Sequence, residues 1–175
     1  MKVIGILGAI WGAVGMFWML VSAIWGLAQI AWDAYSGGFT WVHWVVCVLW
    51  VIFMAHAEGY KGFQKSFSPR TAARIHYLWT NPKVLHSVLA PFFAMGYFHG
   101  TKRTKMVAWI LSFGILGLVL LVRLLPQPWR GIIDVGVVVG LTWGTISLAI
   151  FVVRAFVRGE PDASPGVPGE RPEGA

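Results

Sequence analysis

Four stretches of this chain are apolar for long enough to cross a lipid bilayer, and that limits the folds open to it. A hydrocarbon core of ~30 Å takes roughly 20 helical residues to cross. The runs 4–31, 40–58, 106–125 and 132–157 each meet that requirement. Only helices and closed barrels satisfy their backbone inside hydrocarbon, and these runs are continuous rather than alternating. The expected fold is therefore all-α, a polytopic integral membrane helical bundle. Composition supports it through one number: 12% of the 175 residues are charged, against about 25% in a soluble domain. A water-facing surface cannot be built from so few charges. Trp, at 11 residues, suits the headgroup level, where its ring is apolar and its N–H stays hydrated.

The first run follows a single basic residue, Lys2, and ends in Trp32, Asp33 and Tyr35. It is longer than the ~7–15-residue apolar stretch of a secretory signal, so a retained first span is expected. Ser36-Gly37-Gly38-Phe39 supplies a tight turn before the second run. Pro126 and Pro128 break the chain between the third and fourth. Residues 1–158 thus read as one transmembrane domain. The remainder, 159–175, is rich in Pro, Gly and charge, with Val167 its only bulky apolar group, and is expected to be a disordered tail.

Between the second and third runs, Ser68-Pro69 resembles a helix start, a hydroxyl cap followed by a proline at the first helical position. Ala72, Ile75, Leu78 and Trp79 then recur at helical spacing, with Arg70 and Arg74 elsewhere on the surface. The spacing predicts an amphipathic interfacial helix over 69–80, acting as a connector on the headgroups. Residues 84–100 are apolar but short, and Pro91 divides them. Were they to span, giving five transmembrane helices, the 14 Lys and Arg would divide almost evenly between the two sides. If they enter and return, only Arg123 and Arg130 fall opposite the rest. The positive-inside rule favours the second arrangement: four full spans, a re-entrant or half-inserted segment at 84–100, and both termini cytoplasmic in a cell (inner) membrane.

Packing signals lie at both ends of the chain. Gly136, Gly140 and Gly144 repeat every four residues in the fourth run, and Gly8, Gly12 and Gly15 mark the first. Such ridges let helix backbones approach closely, and the two could meet each other or a second copy.

Chemistry-bearing residues are sparse. His43 and His56 are 13 apart, as are His86 and His99. Two antiparallel helices would pair His43 with His99 and His56 with His86. This resembles the bis-histidine scheme of di-haem b-type cytochromes and transmembrane ferric reductases, and the resemblance implies haem b as an electron-carrying cofactor. It covers two segments and four residues. Thirteen residues leave the two rings about 140° apart around a regular helix, so a kink or π-bulge would be needed to align them. On the re-entrant topology, His56, Glu58, His86 and His99 would instead converge at one face, where imidazole and carboxylate suit zinc or iron. Lys61 stands three residues beyond Glu58, at ion-pair spacing. Nucleophile elbows, phosphate-binding loops and dinucleotide-binding glycines are missing. Cys47 is the single cysteine and reads as a small core hydrophobe. No charge sits near the middle of any of the four runs as bounded above. The expected role is therefore that of a non-catalytic scaffold, accessory subunit or lipid-contacting element, with no cofactor. Its partners would be the bilayer, anionic lipid at the basic loops 61–83 and 102–105, and a membrane protein or second copy, with no nucleic acid.

Overall fold

The computed structural model describes residues 2–168, and every regular element among them is helical. Four helices are long and apolar enough to cross a membrane: Val3–Ser36, Trp41–Thr80, Lys102–Val122 and Trp129–Arg158. The protein is a multi-pass helical membrane bundle.

The first helix, α1 (Lys2–Ser36), runs unbroken. Gly38, at φ +91°, then makes a turn that a side chain would oppose, and α2 (Trp41–Met54) begins. Its first turn is tied by the Thr40 N–H, which donates to His43 Nδ1 at 3.2 Å.

The helix that carries the second apolar run does not stop near 58. α2 passes into a π-helical segment, Ala55–Phe67, and then into α3 (Ser68–Thr80). Ser68 caps nothing. Its backbone is helical, its N–H donates to Phe63 five residues back, and its Oγ donates to the Gly144 carbonyl at 3.4 Å. The wide spacing explains why Pro69 is tolerated here. In an α-helix its ring would press on the carbonyl four residues back, and a π turn opens that gap.

This long helix runs parallel to α7 (Trp129–Arg158). The His43 ring meets Trp129 at 5.0 Å, and Trp50 Nε1 donates to the Ile133 carbonyl at 3.2 Å. Further along, Gly59 lies against Trp143 and Phe63 against Gly144, and Trp79 meets Phe156 at 5.2 Å. α1 is antiparallel to both, with Gly5 beside the Leu78 and Trp79 carbonyls and Ala34 beside Gly131. The two glycine ridges do not face each other. Gly136, Gly140 and Gly144 receive Trp50, Glu58 and Phe63, whereas Gly8, Gly12 and Gly15 receive Ser87, Ala90 and Pro91.

Residues 84–100 fold as two short helices, α4 (Val84–Val88) and α5 (Ala90–Met95), with Pro91 in the first turn of α5. They climb α1 from Gly8 to Gly15, a rise of about 10 Å. Gly96 at φ +92° and His99 at φ +48° then reverse the chain, and the His99 ring returns to lie tilted against that of His86. The segment folds back on itself and is not among the four helices long enough to span, so the five-helix alternative is set aside. The helix expected over 69–80 is present as α3, but it is not a connector with one face in water. Eight of its residues, from Ser68 to Leu78, are buried, and the core joins Ile75 and Leu78 to Met16 of α1, Phe93 of α5 and Leu148 of α7.

α6 (Lys102–Val122) stands differently. Thr101 caps it by accepting from the Thr104 N–H, and Tyr97 touches Ser112 and Trp109. No residue of its apolar window is buried. Of the segment assigned to a disordered tail, 165–167 pack back on the bundle, whereas Gly159, Glu160, Asp162 and Pro168 are exposed. The Thr101 N–H donates to the Gly166 carbonyl at 2.9 Å, and Val167, 5% exposed, joins the core. One apolar side chain suffices because the turn at Gly159, φ +75°, aims it back at the bundle. The rest of that segment lies outside the described residues.

Replacing Val167 with Ser should cost about 2 kcal/mol, the burial of one such side chain. The readout is a lower thermal midpoint in detergent, and an unchanged midpoint would mean that the tail does not contribute to the core.

Candidate functional site

Two places bring polar groups into apolar surroundings. The first is the return of the hairpin. His86 is 5% exposed and stacks on Phe93 at 5.1 Å and 17°. The His99 ring lies 4.3 Å from it. Arg74 of α3, 2% exposed, reaches across to donate from Nη1 to the Phe93 carbonyl at 2.9 Å, and its guanidinium packs over the Phe93 ring. A Cβ at Gly96 or Gly100 would come within 3.0 Å of that guanidinium. The clamp therefore needs both glycines. His86 Nδ1 is buried and has no hydrogen-bond partner among the described residues.

Burial is the main reason both imidazoles lie below the usual histidine range. Neighbouring positive charge adds to it, from Lys83 at both rings and from Arg74 at His99. The pair is thus kept neutral, with one ring nitrogen of each free to accept. Arg74 and Lys83 oppose a cation at this place, because like charges repel in a poorly solvated setting.

The second place is Glu58, in the π segment. Its Oε2 is buried and has no hydrogen-bond partner among the described residues. It lies in a notch at Gly140, where a Cβ would be 2.7 Å from that oxygen. The ion pair expected with Lys61 is not formed; among the described residues the ion pairs are Arg130–Asp134 and Arg158–Asp162. Nor is Glu58 at a span end. Gly140 is level with the middle of α7, about 15 Å along the axis from Arg130 and about 21 Å from Arg154. Counted this way, one carboxyl does sit near the centre of the bundle. Beside it a groove of about 580 Å³ runs along α7 from Val138 to Arg154, lined in part by Gln64, Thr142 and Ser147. Gln64 Oε1 accepts from Trp143 Nε1 at 2.8 Å.

The histidines expected to pair as haem ligands are not brought together in those pairs. His43 belongs to the cap of α2 beside Trp129, at the opposite end of the bundle from His99. His56 is exposed and stacks on Tyr60 at 5.8 Å. The scheme required 84–100 to be a crossing helix, which it is not. The expected convergence of His56, Glu58, His86 and His99 is replaced by the single contact of His86 with His99. Among the described residues no three His, Cys, Asp or Glu side chains are grouped as a metal site would require. Residues 61–80, expected in a basic loop, are helical, with Lys61, Lys65 and Arg70 on its exposed face. Arg74 was not singled out as a site residue by the sequence. The available signal was Thr71-Ala72-Ala73 before it, since small residues on consecutive positions let neighbours close in from two sides. Comparison with protein-family models, with curated proteins and with solved structures gives no match.

Because folding holds His86 and His99 below their unfolded value of about 6.5, their contribution to stability is complete above that pH. It is lost as pH falls through their folded-state values. The thermal midpoint of the parent should therefore drop by about 2–4 °C between pH 7.5 and pH 5, the effect of ~1 kcal/mol in a chain of this size. The H86Q/H99Q variant should show a flatter profile, and identical profiles would exclude the pair as its origin.

Proposed function

We propose that this protein is a non-catalytic scaffold or accessory subunit of a cell (inner) membrane, with both termini cytoplasmic, that packs against a partner membrane protein through α6. The observation that carries the reading is the isolation of α6. The other three spans bury most of their glycines against each other or against the hairpin, Gly26 of α1 excepted. Both glycines of α6, Gly114 and Gly117, have nothing within 4 Å, and no residue of its apolar window is buried. Without a hydrophobic force between helices in lipid, association depends on close van der Waals contact, and small residues permit it. A span whose apolar window is left unburied by its own chain, yet which keeps two glycines three residues apart, is suited to a helix from outside. Lys83, Lys102, Arg103 and Lys105 cluster where the hairpin returns and α6 begins, and they would also draw anionic lipid to that face.

Replacing Gly114 and Gly117 together with Leu leaves this chain's own packing untouched, so its thermal midpoint should not move. In native gels of mildly solubilised membranes the parent should run as a stoichiometric complex and the variant as a single chain. A parent that already runs alone as a monodisperse single chain would overturn the accessory role.

Orientation is tested separately. In intact cells, with Cys47 replaced by Ser, an impermeant maleimide should label a cysteine at Leu124 and spare one at Lys102. Labelling of Lys102 from outside would reverse the topology.

A further inference from the structure

We infer that Glu58 is a membrane-embedded proton-binding carboxyl, held in its protonated form in the notch at Gly140 and exchanging its proton with water along the Lys61–Lys65 face. The inference stands on position and surroundings, and is independent of what α6 binds. Glu58 is level with the centre of α7, on a stretch, 135–153, that contains no charged residue or histidine. α1 has none between Val3 and Trp32, and α2 has only His43, fifteen residues away. The titratable side chains near Glu58 in sequence are on its own segment: His56, Tyr60 and Lys61. Lys61 is exposed and makes no ion pair with it.

Glu58 is half-buried, with Oε2 sealed from water. A carboxylate oxygen sealed in such a place would need a counter-charge or donors, and Oε2 has neither among the described residues. A proton is the ligand that removes the charge without a second protein group. A metal cation is a poorer fit, since calcium and magnesium take six or more oxygens and no group of three His, Cys, Asp or Glu lies here among the described residues. The backbone is adapted to the same end. A π-helical stretch is rare and concentrates at functional sites; this one holds Glu58, with Gly59 beneath Trp143 and Gly140 opposite. The missing side chain at Gly140 makes room for the carboxyl, and the one at Gly59 lets Trp143 of the same helix as Gly140 come close. On losing its proton to water the carboxylate must leave the notch and turn toward Lys61, Lys65 and the groove that runs to Arg154. On regaining a proton it returns.

The test uses two carbodiimides on the full chain in lipid nanodiscs at pH 7. Dicyclohexylcarbodiimide is apolar and consumes a protonated carboxyl: the carbodiimide nitrogen takes the proton, the carboxyl oxygen adds to its central carbon, and the adduct rearranges to a stable N-acylurea. A water-soluble carbodiimide with glycine ethyl ester reports hydrated carboxyls instead. The expected result is an N-acylurea mapped by mass spectrometry to Glu58 and absent from E58Q. The water-soluble reagent should modify Glu58 at least tenfold more slowly than Glu160, an exposed carboxyl just beyond α7. No apolar adduct at Glu58, or modification by the soluble reagent as fast as at Glu160, would overturn the proposal. G140A should reduce the apolar labelling at least tenfold by filling the notch. The E58Q/G140A pair should keep the thermal midpoint of E58Q to within a few degrees, which separates eviction of the carboxyl from misfolding. Undiminished labelling in G140A would remove the notch from the account.

Discussion

The structure depends on how closely the helix Trp41–Thr80 can approach α7. At Gly136, Gly140 and Gly144 a Cβ would lie 2.5, 2.7 and 2.3 Å from the nearest atoms of Trp50, Glu58 and Phe63. At those distances an added side chain would force the facing one to move, least easily the rings of Trp50 and Phe63, so the three glycines set how closely the two helices meet. In lipid this matters more than in water, because apolar side chains gain little by leaving one hydrocarbon surface for another. The register then places Ser68 on the Gly144 carbonyl and aligns α3 with the last third of α7. Where α3 lies decides where the hairpin can lodge.

Arg74 transmits that decision. A guanidinium at 2% exposure, in a helix packed between α1 and α7, needs acceptors, and one of them is the Phe93 carbonyl of α5. The arginine ties the hairpin to the second span and, through Gly96 and Gly100, obliges the chain to turn back. His99 pays a cost in backbone conformation, since a non-glycine residue at φ +48° is strained. Ring contact with His86 and stacking on Phe93 offset it. A hairpin of eleven helical residues divided by Leu89 would otherwise expose unpaired amides at membrane depth. Its burial against the glycine-marked face of α1 removes much of that exposure.

What the sequence discloses here follows the physics of transfer. The four spans were legible because apolar runs of about 20 residues have few other destinations, and the return of 84–100 was legible from the distribution of Lys and Arg. The boundary of the second span was not. Glu58, Lys61 and Lys65 mark an end by hydropathy, yet the helix continues for 22 residues beyond Glu58. A polar stretch can remain helical at depth when its long side chains snorkel and others find a partner on the neighbouring helix, as Gln64 does in Trp143. The π geometry was hidden because it arises from fitting forty residues of one helix to a shorter length of α7. Gly59, Gly62 and Pro69 permit it without demanding it. The histidine spacing misled for a related reason: thirteen residues in each segment suggested matched helices, whereas His99 lies in a reversal and His43 in a cap.

The two halves of the bundle therefore do different work. At the end marked by Trp129, Asp33 and Arg130, helices meet through aromatic rings, and charge is confined to the span ends. Toward the other end the same helices separate enough to admit a hairpin, a buried arginine, two imidazoles and the returning tail. The core follows this asymmetry: Met16, Ile75, Phe93, Leu148 and Val167 all belong to the second half. A bundle with its densest packing around its most polar inclusions is one in which the inclusions are supported on all sides. Arg74 and the His86–His99 pair are held by Phe93, and Glu58 by Gly140 and the π segment. α6 joins this body at its first turn, where Thr101 bonds Gly166 and Thr104 lies beside Gly96 and Gly100, and along Tyr97, while its apolar window stays unburied. That separation is what the accessory role proposed above would use: three spans that keep the polar groups in place, and a fourth whose apolar face is left uncovered.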